Sequence, residues 1–418
     1  MSTRWKGGLM TASPPATYGG GTAPGIWTLN QQGQLVAANL WPLPGASRQL
    51  WAWGKGNAGS LGFGNTTNYS SPKQVGPLVI WKSVEGGIGG YGSNTGITVG
   101  VRTDGTLWTW GSGVKGALGL GNITNYSSPK QVGALTTWSS ASGGAQRVGA
   151  ITTTGALWVW GFNSQGTLGL NNTTSYSSPK QVGALTNWAQ ISMGSNASAA
   201  VKTDGTLWTW GYNSNYELGL GNNTTYYSPK QVGSSTNWAS VNSASRFMLA
   251  VKTDNTLWGW GQNAYGQIGT GNLTTYSNPK QIGALTNWSS VSSRNLSTSY
   301  ASTLAIKTNN TLWGWGRNGY GSIGLGNTTS YSSPKQVGAL SNWSTVAFGG
   351  SSSNGFTISV KTDGTLWTWG NNNFGQLGSG TTTSRSSPAQ VGALTTWITA
   401  RTGAGTSYLS AAFAIKSL

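Results

Sequence analysis

The chain has 418 residues, with 24 Lys and Arg against six Asp and Glu, no His and no Cys, and a formal net charge of +18. Without His or Cys there is no imidazole base, thiolate, disulfide or ordinary zinc site, and six carboxylates leave little for paired-acid catalysis or oxygen-ligand metal sites. The expected class is a non-enzymatic binding or structural protein with no cofactor and no membrane insertion, because no 18-residue apolar run exists; its positive balance either favours acidic partners or keeps a Trp-rich chain in solution.

Residues 1–49 differ from the rest. Gly7, Gly8 and the stretch from Pro14 to Pro24 read as extended linker, with no apolar signal core. Thr28 is a candidate N-cap of a short helix that stops before Pro42 and is weakened by Gly33. Leu29, Val36 and Leu40 would form its apolar stripe, with Trp27 and Trp41 at the ends. Together with Trp5 they are the candidate contacts of a docking arm; the competing reading packs this segment on its own chain.

From residue 50 one unit, Leu-Trp-x-Trp-Gly, recurs seven times, beginning at Leu50, Leu107, Leu157, Leu207, Leu257, Leu312 and Leu366. A period near 50 means one supersecondary unit per repeat, stacked so that neighbours bury each other. Val201 to Gly211 reads as two short strands around Asp204-Gly205, a dipeptide suited to a tight primed hairpin turn. Trp208 and Trp210 share one face of the second strand, and Leu207 and Thr209 share the other. A Gly-rich loop follows, then a polar loop to Pro229, a strand opening at Lys230, and a fourth strand opening at Trp238. Four strands per 50 residues make a propeller blade. A further Trp lies 31 residues after each leading Leu, at positions 81, 138, 188, 238, 288, 343 and 397, and reads as core.

The chain ends in Ala414-Ile-Lys-Ser-Leu418, the strand that precedes each Leu-Trp-x-Trp unit, while Leu50 to Trp53 lacks that partner. The two ends should therefore pair and close an all-β, seven-bladed propeller over residues 50–418. Length variation falls only after the single Trp of each repeat. The loops there carry the candidate ligand-binding residues Tyr91, Arg147, Arg246, Arg294, Tyr300, Arg401 and Tyr408, on the face shared with the Gly-rich loops. Drift in unconstrained loops is the bland reading. A Tyr-x-x-Pro-Lys series, such as Tyr226 and Lys230, should ring the same face. A second series (Arg102, Lys202, Lys252, Lys307, Lys361 and Lys416) precedes the hairpin turns, where pairing with the turn Asp would explain it.

Trp-Gly-x-Asn-x-x-Gly-Gln-Leu-Gly, followed by a Pro-led strand and a small-residue strand into x-Asp-Gly, resembles the regulator of chromosome condensation repeat. The resemblance implies a seven-bladed propeller with its last blade shared between the termini. Its family includes exchange factors for small GTPases, chromatin-associated proteins and secreted inhibitors. The exchange factors carry acidic and histidine residues on one face, a pattern this chain departs from. Ala23-Pro-Gly-Ile-Trp-Thr-Leu and Ala37-Ala-Asn-Leu-Trp-Pro42 resemble a segment of tailed-bacteriophage virion proteins. On that ground the expectation is a phage-like virion protein. Residues 1–49 would dock on other virion proteins, and the variable face would meet a partner such as a host surface glycan. The alternatives are a cytoplasmic regulatory propeller, such as a small-GTPase exchange factor, and a nucleic-acid binder, which is possible but not favoured.

Overall fold

The computed structural model describes residues 4–5, 8–9, 48–76, 80–87, 96–293, 301–350, 355–404 and 410–417. Seven four-stranded antiparallel sheets succeed one another along the chain. Blades 1 to 6 span residues 81–131, 138–181, 188–231, 238–281, 288–336 and 343–390. Blade 7 joins Trp397–Ala404 and Ser410–Ser417 to Arg48–Gly54 and Tyr69–Gln74. Its register runs from Arg48 opposite Ser417 to Gly54 opposite Ala411. The two chain ends thus share one sheet, as the sequence requires, and the ring has no open edge there. Arg4–Trp5 pairs with Gly8–Leu9 in a separate two-stranded ribbon. The side chain of Trp5, and the candidate arm residues Trp27, Leu29, Val36, Leu40 and Trp41, lie outside the described residues.

Alternation along the Leu-Trp-x-Trp-Gly strand explains how a chain this poor in Leu and Ile holds together. Leu207, Thr209 and Trp210 are fully buried, while Trp208 is half-buried. Leu207, Val201 and Val232 of blade 3 pack on Trp238, Val241 and Trp260 of blade 4. On the opposite face of blade 3, Trp188, Trp208 and Trp210 meet Ile151, Leu157 and Val159 of blade 2. Each blade is therefore apolar on both faces, and the same pattern recurs at the other interfaces.

The second Trp of every unit also ties its blade to the preceding one. Trp210 Nε1 donates to Thr167 O at 2.9 Å, Trp260 to Glu217 O at 2.8 Å, and Trp53 to Gln376 O at 2.9 Å. The accepting carbonyls lie in the Gly-rich loops. At Gly219 φ is +68°, and a Cβ there would come within 2.7 Å of Trp260 Nε1. Both the backbone angle and the approach of the indole demand glycine at this place in the repeat.

Two local expectations are corrected. The Asp-Gly hairpins are not two-residue primed turns. At Thr203-Asp204-Gly205 the Lys202 N–H bonds to Thr206 O, and only Gly205 has positive φ, at +74°. That is a three-residue loop with glycine in the left-handed position. The outermost strand is Tyr226–Gln231, so it contains Pro229 rather than starting after it. Proline is tolerated because this is the edge strand and its pairing is irregular between Thr209 and Gly211.

Candidate functional site

Strand alternation divides the connections between two faces. Ala197 pairs with Gly211 at one end of blade 3, and Val201 with Leu207 at the other. The length-variable connections and the Gly-rich loops therefore share the first face, and the Asp hairpins lie on the second. Of the candidate residues on the first face, Tyr91, Arg294, Tyr300 and Tyr408 fall outside the described residues.

The three described arginines have different fates. Arg147 opens a strand and is 2% exposed, so it presents no charge to a ligand. Its guanidinium donates to Ala145 O, and to Gly194 O and Ser195 O of the next blade, and burial lowers its pKa. Arg246 is half-buried, and its charge bears on Glu217. Arg401 faces the ring axis and pairs with Glu85, Nε to Oε1 at 2.7 Å.

Glu85 was not among the candidates, although counting from the single Trp finds it. The fourth residue after each such Trp points into the axial channel, a cavity of about 350 Å³. In blades 2 to 5 these residues are Ser142, Ser192, Asn242 and Ser292. Each accepts a backbone N–H from the following blade, those of Met193, Ser243, Ser293 and Phe348, at 2.8–3.1 Å. Gln190 grips both backbone groups of Val241, accepting at 2.8 Å and donating at 3.1 Å. The channel wall is thus a belt of hydroxyls and amides engaged between blades. Where blade 7 meets blade 1, the same positions hold Arg401 and Glu85, the one ion pair of the belt among the described residues.

Glu217 occupies a place in the Gly-rich loop that Gln267 and Gln376 fill in blades 4 and 6. Its carboxylate accepts from Asn215 N at 2.8 Å, as Gln267 accepts from Tyr265 N and Gln376 from Phe374 N, both at 2.9 Å. Glu217 is 1% exposed, and burial raises its pKa above the usual carboxylate value. A raised carboxyl pKa contributes stability that is complete below the unfolded-state value and is lost as pH rises through the folded-state value. Glu217→Gln keeps the acceptor for Asn215 N, gives up the bond from Asn215 Nδ2 at 3.1 Å, and removes the buried charge. It should therefore raise the thermal midpoint at pH 7, with the gain shrinking as pH falls towards 4. A lower midpoint at pH 7 would mean that attraction to Arg246 outweighs desolvation.

On the second face, the cations ahead of the hairpins do something the sequence did not indicate. Asp204 is occupied by its own turn, accepting from Thr206 N at 2.9 Å and Thr206 Oγ1 at 2.6 Å, which lowers its pKa. Trp208 Nε1 donates to the same Thr206 hydroxyl at 2.9 Å. Lys202 turns away and places Nζ 4.9 Å from the Trp188 ring centroid and 3.9 Å from that of Trp208. Lys252, Lys307, Lys361 and Arg102 repeat this arrangement, and Lys416 lies over Trp51. Cation–π contact, more than the expected Asp pairing, accounts for these residues. The Tyr-Lys series forms the outer wall: Lys130, Lys180, Lys230 and Lys335 each lie 5.4–5.7 Å from their own Tyr ring.

Comparison with known proteins agrees with this geometry. The model of the RCC1-like domain matches residues 98–409, and that of the regulator of chromosome condensation (RCC1) repeat matches residues 49–89. Protein RCC2 homolog of Danio rerio is 37% identical over 83 residues, 20% of this chain and 16% of that protein. The E3 ubiquitin-protein ligase HERC2 of Homo sapiens is 33% identical over 87 residues, 21% of this chain and 2% of that protein. The aligned segments thus span well under two thirds of either relative. The structure of Prp20p from Saccharomyces cerevisiae, described with its binding to Gsp1p and histones, superposes with a TM-score of 0.72 at 18% identity, covering 89% of this chain and 92% of that one. Human WBSCR16 gives 0.73 at 18% identity, covering 89% and 99%. At such identity these two likenesses concern fold alone. The relatives are eukaryotic proteins that share the RCC1-type repeat, and they overturn the virion reading together with its virion-protein and host-glycan partners. That reading rested on about 20 residues of a Pro-, Gly- and Trp-rich segment, a composition that short unrelated stretches share easily.

Proposed function

Because the chain belongs to the RCC1-like family of seven-bladed propellers, we propose that it is a regulatory scaffold inside the cell that binds a protein partner rather than transforming a substrate. The partner docks on the face that carries the length-variable connections. The observation behind this choice is the Glu85–Arg401 pair, with side chains 23% and 37% exposed, in an axial belt otherwise made of neutral side chains. It gives the channel on that face one acceptor and one donor of full charge, and partially exposed charges of this kind set orientation and association rate. A small GTPase is the first partner to test, since Prp20p is described with Gsp1p.

The test is nucleotide release from a panel of small GTPases, read with a fluorescent GDP analogue, alongside direct binding to each. The reading expects a complex with one of them that weakens about tenfold or more in Arg401→Ala, as truncation of an arginine at the centre of an interface does. Binding that ignores Arg401→Ala and Glu85→Ala but is lost in Leu185→Asp, on the second face, would overturn the choice of face. No binding to any of the panel would remove the GTPase partner.

A further inference from the structure

Four consecutive blades, 6, 7, 1 and 2, carry Ser-Ser-Pro in the outermost strand. Blades 7, 1 and 2 read Tyr69-Ser-Ser-Pro-Lys73, Tyr126-Ser-Ser-Pro-Lys130 and Tyr176-Ser-Ser-Pro-Lys180, and blade 6 reads Arg385-Ser-Ser-Pro-Ala389. In each, the pairing with the inner neighbour breaks at the same place. Gly111 pairs with Tyr126 and Thr109 with Lys130, so Ser127, Ser128 and Pro129 stand opposite Trp110 alone and have no ladder partner. The same gap covers residues 70–72, 177–179 and 386–388.

The two serines of each strand differ. The first is half-buried against the preceding blade: Ser127 O accepts from Gly64 N at 2.7 Å, Ser177 O from Gly121 N at 2.7 Å, Ser70 O from Gly380 N at 2.8 Å and Ser386 O from Gly326 N at 2.9 Å. The second, at Ser71, Ser128, Ser178 and Ser387, is exposed, and its hydroxyl has no hydrogen-bond partner among the described residues. The outer wall thus presents extended, unpaired Ser-Pro with an open hydroxyl at four places in a row. Blades 3 to 5 do not: Ser228 and Ser333 are half-buried, and Asn278 replaces the serine of blade 4.

We propose that Ser71, Ser128, Ser178 and Ser387 are phosphorylation sites for a proline-directed protein kinase. Such an enzyme reads extended chain with proline after the acceptor, a residue of fixed φ with no N–H to leave unpaired. In the transfer, the serine Oγ bonds to the γ-phosphorus of ATP as the bond to the ADP oxygen breaks, and the hydroxyl proton passes to the kinase's own base. Lys73, Lys130 and Lys180 follow their acceptor serines by two residues, share a strand face with them and give the new phosphate a cation. At about −1.5 to −2 each, four phosphates would cancel roughly 6–8 of the net +18 charges. The sites lie on the outer wall, away from the proposed partner face, so this inference and the partner reading fail independently.

The experiment incubates the intact folded chain with a recombinant proline-directed kinase and magnesium ATP, counts phosphates by intact mass and places them by tandem mass spectrometry. Phosphate should appear at the four exposed serines and not at Ser70, Ser127, Ser177 or Ser386. Ser128→Ala should remove one phosphate. Pro129→Ala should abolish transfer at Ser128 while Ser71, Ser178 and Ser387 still accept it, which also shows that the variant is folded and the enzyme active. A kinase that modifies a synthetic peptide of residues 122–134 but not the folded chain shows that the strand is closed to it and overturns the proposal. Transfer to neither, or transfer at Ser128 that Pro129→Ala leaves unchanged, overturns it as well.

Discussion

Replacing Trp53 by Ala should lower the free energy of unfolding by about 3–5 kcal/mol, the range for deleting a large buried aromatic side chain. Trp53 is fully buried and packs on Phe356, Ile358, Trp397 and Ala412 where blade 6 meets blade 7. Its loss also strands the Gln376 carbonyl that its indole binds at 2.9 Å. Trp210→Ala removes an equivalent side chain from an interface between sequence-adjacent blades. The two should cost similar free energy, because the contacts are repeats of each other. They should differ in cooperativity. Blade 7 is built from two strands from each end of the chain, so Trp53→Ala should let it open before the rest. Urea unfolding followed by near-UV circular dichroism, with amide exchange across Ser410–Ser417, reads both quantities. A loss under about 1 kcal/mol would mean that the indole is not packed between these blades.

The fold was legible because each level of the sequence repeats the same instruction. The Leu-Trp-x-Trp-Gly strand encodes its two buried faces, the constant distance to the single Trp fixes the innermost strand, and the terminal fragments of one repeat announce the shared blade. What stayed hidden depended on neighbours distant in sequence. Lys202 lies two residues from Asp204, and local counting pairs them. The structure instead sends its ammonium across to Trp188 and Trp208, on the two flanking strands. Arg147 looked like a loop cation until strand register placed it among the carbonyls of Gly194 and Ser195.

The candidate site was legible only in outline. Length variation marked out one class of connection, and of the residues it nominated Arg401 faces the axis. Glu85 was missed because one acid in a strand of mixed character carries no signal until it is aligned with Ser142, Ser192 and Asn242 of the other blades. The virion reading failed for the opposite reason, since it trusted a short biased segment over a repeat that fills the rest of the chain. Propeller geometry constrains the interior of each blade tightly and the connections hardly at all, so fold is written in the repeats and partner choice is not.

The central claim is that the two chain ends close the ring, and it has a direct test in a disulfide between Arg48→Cys and Ser417→Cys. These residues are opposite each other in blade 7. The Ser417 N–H is spent on Thr396 O, on the far side of its strand, which makes this a non-hydrogen-bonded pair. Such pairs bring Cα atoms to about 4.5 Å, within the range a disulfide spans. The natural chain has no cysteine, so only one bond can form. Closing a loop of this length should raise the free energy of unfolding by on the order of 3–5 kcal/mol. The measurement is thiol content and monomer mobility after mild oxidation, with the unfolding midpoint before and after reduction. A closed ring predicts complete intramolecular oxidation and a higher midpoint. Two thiols that remain free in the folded monomer, or that oxidise only between chains, would contradict it.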